Sequence, residues 1–264
     1  NQRLPEAIAA YLPDGSIHLD HQLAALRRTG DDAIVLTLFT ANGVREVTCD
    51  AVILALPFST LRKVDYRQAG FDALKQTAIE QLGYGTISKL MLQFDIPYWY
   101  QKGAWPTPNN GFIITDLNIQ TLWDTSVGQH STKGLLVNYT AGNRGAAYLP
   151  KTPYSTTSDT DSARIQYYAR ECVQQLEQVF PGISTHYSGI AALGYPTGDP
   201  YLLGSYSCWR VGQYTQFAGY ERVRQGPIHF AGEHCSIEFQ GFMEGGAREG
   251  LRAAQEIVKD IDRP

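Results

Sequence analysis

Apolar residues recur at helical spacing in two long stretches of the chain. Between Ser158 and Phe180, Ile165, Ala169, Cys172, Leu176 and Val179 share one face, so the spacing predicts a helix through Phe180. Ser158 or Thr160 is placed to cap its start, and Pro181-Gly182 to stop it. From Phe242 to Ile261, Met243, Ala247, Leu251, Ala254 and Val258 form a second such face, expected to point inward. Glu244, Arg248, Glu249, Arg252 and Lys259 should then point elsewhere. Shorter helices are predicted over 3–12, on Leu4, Ile8 and Leu12, and over 71–83, on Phe71, Leu74, Ala78 and Leu82 with Gly83 as C-terminal cap.

Other segments alternate or run together as strands do. Residues 16–26 read as one or two short strands, and 33–40 with 44–49 as a hairpin turning on Asn42-Gly43. DAVILALP (50–57) is apolar at almost every position, the pattern of a strand covered on both faces. TISKLMLQF (86–94) and PIHFAG (227–232) complete the strands, while 101–112 and 141–162 are rich in loop formers. The order predicts a chain that leaves one α/β layer, builds a second domain and returns. The fold class is α/β plus α+β, divided at 1–66, 67–203 and 204–264.

Composition narrows the function. Of 264 residues, 43% are hydrophobic and 18% charged, with 22 basic against 26 acidic side chains. No basic run with interleaved aromatics suggests nucleic acid, and no apolar run is long enough for a transmembrane segment. A soluble chain is expected, with the cytoplasm preferred as its location. Cys49, Cys172, Cys208 and Cys235 are scattered without CxxC spacing, which argues against a disulfide framework and a zinc site. His234 and Cys235 are adjacent and poorly placed to chelate one metal. No metal is expected.

The chemistry-bearing stretch is FAGEHCSIEFQGFMEGG, residues 230–246. A strand leads through a polar loop into a helix whose first turns hold Gly241, Gly245 and Gly246. Interior glycine weakens a helix by about 1 kcal/mol. Glycines at a helix start allow another molecule to approach backbone N–H groups that lack helical partners. Close packing of helix on strand, with nothing bound, accounts for the same residues equally well.

This stretch resembles the C-terminal flavin-binding signature of the flavin-containing amine oxidases, the family of monoamine, polyamine and L-amino-acid oxidases. NQRLPEAIA, DAVILALPFSTLRKV, YGTISKLMLQFDIPYW and DPYLLGSYS resemble further segments of that family. The resemblance implies a discontinuous, partial Rossmann-like FAD-binding domain and a mixed-sheet substrate domain. It implies non-covalent FAD, since Ser205 stands where some relatives carry a flavin-linked cysteine. Substrates would be a small amine or amino acid and O2, giving an imine and hydrogen peroxide.

Residue by residue, the resemblance places Gly232 and Glu233 on the ribityl–pyrophosphate chain. Gly241, Phe242 and Met243 would pass beside the isoalloxazine, and Gly246 would let the helix sit against it. Leu23 would hold adenine through its backbone, and Pro57 ends a flavin-domain strand. Lys89 matches a lysine that holds a water near flavin N5, and Tyr206 and Phe242 match two aromatics that flank the amine. Read alone, Lys89 is an exposed strand lysine, and the two aromatics are ordinary core residues.

The resemblance has a gap. The family's opening strand–GxGxxG–helix, which seats the pyrophosphate, is absent from this sequence. The expectation is the C-terminal portion of such an enzyme, whose N-terminal portion is a missing partner. Alone it should bind FAD weakly or not at all, leave sheet edges open and self-associate. The alternatives are a desaturase-like or protoporphyrinogen-oxidase-like flavoprotein, or a non-catalytic interaction subunit.

Overall fold

The computed structural model describes residues 2–30, 33–102 and 108–262. The part of the expected loop at 103–107 lies outside the described residues. The chain divides into two compact units, one running up to Gln81 and resuming at Thr215, the other Leu82–Tyr214.

The first unit holds a four-stranded sheet. The hairpin strands Gly43–Cys49 and Ile34–Thr40 continue into Gln22–Arg28, all antiparallel, and Asp65–Gln68 joins in parallel. A separate parallel pair joins Val52–Leu54 to Ile228–Phe230. Phe58 and Phe71 pack on Phe230, with ring centroids 6.0 and 5.5 Å away. The second unit is built on a six-stranded sheet that is antiparallel at every pairing. The alternation of SKLMLQF buries Ser88, Leu90, Leu92 and Phe94 on one face and exposes Lys89 and Met91 on the other. The helix Ser162–Leu176 covers the buried face through Ile165, Ala169, Cys172, Val173 and Leu176.

Several elements differ from their predicted form. The hairpin pairs Thr40 with Gly43, so Ala41 and Asn42 make the turn and Gly43, at φ +106°, opens the next strand. In place of 16–26 the strand is Gln22–Arg28, starting later and ending later, and of 50–57 only Val52–Leu54 is strand. Pro57 ends the latter run and starts a helical turn, with Thr60 and Leu61 donating N–H to its carbonyl. Gly83 does not cap a helix; it pairs with Cys208, and a Cβ there would lie 2.5 Å from the Cys208 carbonyl oxygen. The region 141–162 contains a helix, Gly142–Ala146, and a strand, Tyr154–Thr156. Neither Ser158 nor Thr160 caps the long helix. Asp159 organises that entry instead, accepting the N–H of Thr156 and of Asp161.

The largest departures concern the first unit's helices. The helix Arg3–Ala9 buries none of its residues, so Leu4 and Ile8 face outward. The helix Ala73–Gln81 buries Lys75, Ala78 and Ile79, and Leu74 is exposed. The final helix, Met243–Ile261, buries Gly245, Glu249 and Ala253 and exposes Met243, Leu251 and Val258. A charged network turns it this way. Glu249 accepts from Arg252 at 2.7 Å and faces Arg222 at 3.4 Å, while Arg252 also binds Glu256 and the Phe230 carbonyl. The small Gly245 and Ala253 allow the close approach that this network needs.

Candidate functional site

In the first unit, two chain turns gather at the carboxyl ends of the parallel pair, the place where open α/β sheets bind ligands. One turn holds Pro57. The other follows Phe230 and starts at Gly232, whose φ of +124° only glycine tolerates; a Cβ there would lie 2.7 Å from the His234 ring. His234 is thereby turned inward against Phe58, with ring centroids 4.5 Å apart. Burial, with the nearby Lys75 charge, lowers the His234 pKa to about 3. Its neighbour Glu233 accepts the N–H of Gly241 at 2.7 Å. That bond closes the loop between strand and helix, with Gly241 at φ +82°. Phe242 and Met243 then stand at the helix start, 67% and 53% exposed.

The glycines of this helix do different work. At Gly245 a Cβ would come within 2.3 Å of the Phe239 carbonyl oxygen, so this glycine serves packing within the chain. At Gly246 the nearest atom is the Glu233 nitrogen at 3.9 Å, and at Gly250 nothing lies within 4 Å. Those two leave the helix side open.

Lys75 supports the loop from beneath. It is fully buried, donates to the carbonyls of Tyr220 and Glu221 at 2.7 Å each, and sits 3.9 Å from the Phe230 ring centroid. Two acceptors and an aromatic face suit an ammonium, while burial lowers its pKa to about 7. Leu23 lies on the four-stranded sheet, where the ladder shifts register between Leu23 and Ala25. Such bulges interrupt regular backbone pairing.

In the second unit Lys89 pairs in register with Tyr139, and its Nζ lies 5.8 Å from that ring's centroid. The Tyr139 hydroxyl meets the Tyr206 hydroxyl at 3.0 Å, and Trp123 stacks at a tilt, 5.1 Å from the Tyr139 ring. Burial, then the Tyr206 hydroxyl, raises the Tyr139 pKa, so it remains a neutral phenol. Tyr206 is 37% exposed.

The structure thus groups Pro57, Gly232, Glu233, Gly241, Phe242, Met243 and Gly246 within the first unit, and Lys89 with Tyr206 in the second. Tyr139, Trp123, Lys75 and His234 were not legible as parts of either group. The alternation of GLLVNYT could assign Tyr139 to a face, but only the register sets it beside Lys89. Among the described residues no group of three His, Cys, Asp or Glu could hold a metal ion, and no helix is long and apolar enough to cross a membrane.

The first unit has a parallel pair leading into a glycine-rich helix, and the second has an antiparallel sheet with a lysine–tyrosine face. Residues 1–258 match the family model described as flavin containing amine oxidoreductase, and the chain belongs to that family. The Bacillus subtilis protein YobN, provisionally named an L-amino-acid oxidase, is 29% identical over 215 residues, covering 80% of this chain and 41% of that one. The flavin-dependent L-tryptophan oxidase RebO of Lentzea aerocolonigenes is 23% identical, covering 92% and 48%. The fold matches cyclohexylamine oxidase of Brevibacterium oxydans with a TM-score of 0.80 at 18% identity, over 99% of this chain and 53% of that one. The chain therefore spans less than half the length of these two sequence relatives.

Proposed function

We propose that this chain forms the amine-facing surface and part of the cofactor-holding surface of an FAD-dependent oxidase of amines or L-amino acids. The observation that carries the reading is the exposed Lys89 beside the hydrogen-bonded Tyr139–Tyr206 pair, in a chain of the amine oxidoreductase family. The first unit's residues fit a flavin in kind. The helix side is open at Gly246 and Gly250, Gly232 and Gly241 are glycine by conformation, and a 19-residue helix starts at Met243.

Glu233 and Gly241 would hold the cofactor's chain and ring edge, Gly246 would give it room, and the backbone at Leu23 would hold its adenine. FAD, when bound, would supply the two-electron chemistry that oxidises the C–N bond, with O2 as final oxidant and hydrogen peroxide as product. Tyr206 would orient the amine and exclude water, Phe242 would stand beside the isoalloxazine, and an apolar wall favours the amine's neutral form. Lys89 would hold a water and donate a hydrogen bond through Nζ, while hydrolysis of the imine gives a carbonyl compound and ammonia.

The test is peroxide release by the whole enzyme, purified in FAD-containing buffer, on a panel of amines and L-amino acids. Lys89→Met should lower turnover at least tenfold. Bound flavin without peroxide from any substrate would sink the reading.

A further inference from the structure

We infer that the substrate carries a single ammonium group next to an apolar or aromatic side chain, as in a monoamine or a neutral L-amino acid. Trp123, Tyr139 and Met91 select it. This rests on the oxidase reading of the same sheet face and narrows it.

The pairing register fixes the make-up of that face, because partner residues on adjacent strands point to the same side. Lys89 has Tyr139 on one flank and Gly194 on the other. Two residues along, Met91 lies between Val137 and Ala192, and Trp123 follows beyond Val137. Among the described residues these two rows hold one cation and no carboxylate. Two carboxylates near the margins are engaged. Asp95 pairs with Lys133 at 3.3 Å, and Asp199 accepts the Tyr201 N–H at 2.8 Å and hydrogen-bonds Tyr154.

A second ammonium on the substrate would therefore meet Lys89 with no counter-charge, and like charges brought together away from water are costly. An anionic side chain would lose its hydration against Met91 and Trp123. An aromatic or branched side chain fits both constraints, stacking on Trp123 while Tyr139 holds Tyr206 in place through their hydroxyl bond.

The experiment compares kcat/KM of the whole FAD-loaded enzyme for 2-phenylethylamine, L-phenylalanine and L-leucine with that for putrescine, spermidine, L-lysine and L-glutamate. The first group should lead by at least about tenfold. Met91→Glu, which places a carboxylate at an exposed position of the face, should narrow the putrescine deficit about tenfold. Tyr139→Phe should raise KM about fivefold with kcat little changed, the size of one hydrogen bond, and Trp123→Phe should preserve the ranking. Peroxide formed faster from putrescine, spermidine, L-lysine or L-glutamate overturns the inference and leaves the oxidase reading standing. A KM unmoved by Tyr139→Phe removes Tyr139 from the selection. No peroxide from any compound overturns both.

Discussion

The two units solve the problem of burying a sheet differently. In the second, Leu90, Leu92, Phe94, Trp99, Leu136 and Leu176 form one cluster between sheet and helix, although Ile114, Val127 and Ile190 stay exposed. The first buries charge and shows grease. Its longest helix packs through Gly245, Glu249 and Ala253, while Met243, Leu251, Val258 and Ile261 face outward. Leu4, Ile8 and Leu12 do the same near the start. The difference teaches that the second unit's long helix is held by an apolar face, whereas the first unit's longest helix is held through small and charged residues and leaves an apolar stripe that contributes little to its own stability.

The sharpest way to break this comparison is to cut into both units and compare costs. Trp99→Ala removes a buried ring that meets Phe94 edge-on at 5.8 Å, and should cost about 3–5 kcal/mol by urea unfolding. Leu251→Ser on the outward face should change the unfolding free energy by less than about 0.5 kcal/mol. A large loss from Leu251→Ser would show that the outward face is packed after all.

A second pair separates the glycines. Gly245→Ala should cost about 1–3 kcal/mol, because its Cβ meets the Phe239 carbonyl. Gly250→Ala, with open space around it, should stabilise by up to about 1 kcal/mol. Equal effects from the two would remove the distinction between packing and open glycines.

Acid sharpens the comparison from another side. The folded pKa of His234, about 3, lies below the ordinary histidine value of 6.5. Between those values the unfolded chain binds more protons, so stability falls as pH drops through that window. His234→Phe should flatten this acid limb in urea midpoints taken from pH 7 to 4. Hydrogen exchange should assign the difference to the first unit. The smallest effect is expected at the exposed Arg67–Asp65 pair, 2.6 Å apart. Asp65→Asn should leave the midpoint unchanged within error, since exposed ion pairs are screened.

How much of this was legible beforehand depended on what each signal reports. The helical spacing of Ile165, Ala169, Cys172 and Leu176 identified the buried face of the second unit's long helix correctly, since apolar side chains there do point to the core. The same reasoning pointed the final helix the wrong way. Periodicity locates an apolar stripe, but it does not say whether the chain itself covers that stripe. Lys75 was hidden for a related reason: a lysine in an amphipathic pattern reads as solvent-facing, and the two carbonyls that accept its hydrogen bonds come from Tyr220 and Glu221, far away in sequence.

By itself the sequence determined the family, the strand and helix types of the long segments, and the glycine-rich start of the last helix, because these depend on local pattern and on motifs that survive divergence. Only the tertiary structure decided which glycines pack and which stand open, which face of the last helix is buried, and that Tyr139 and Trp123 stand beside Lys89. Those facts depend on strand register and on approaches between backbones distant in sequence. A chain read one residue at a time does not carry that geometry.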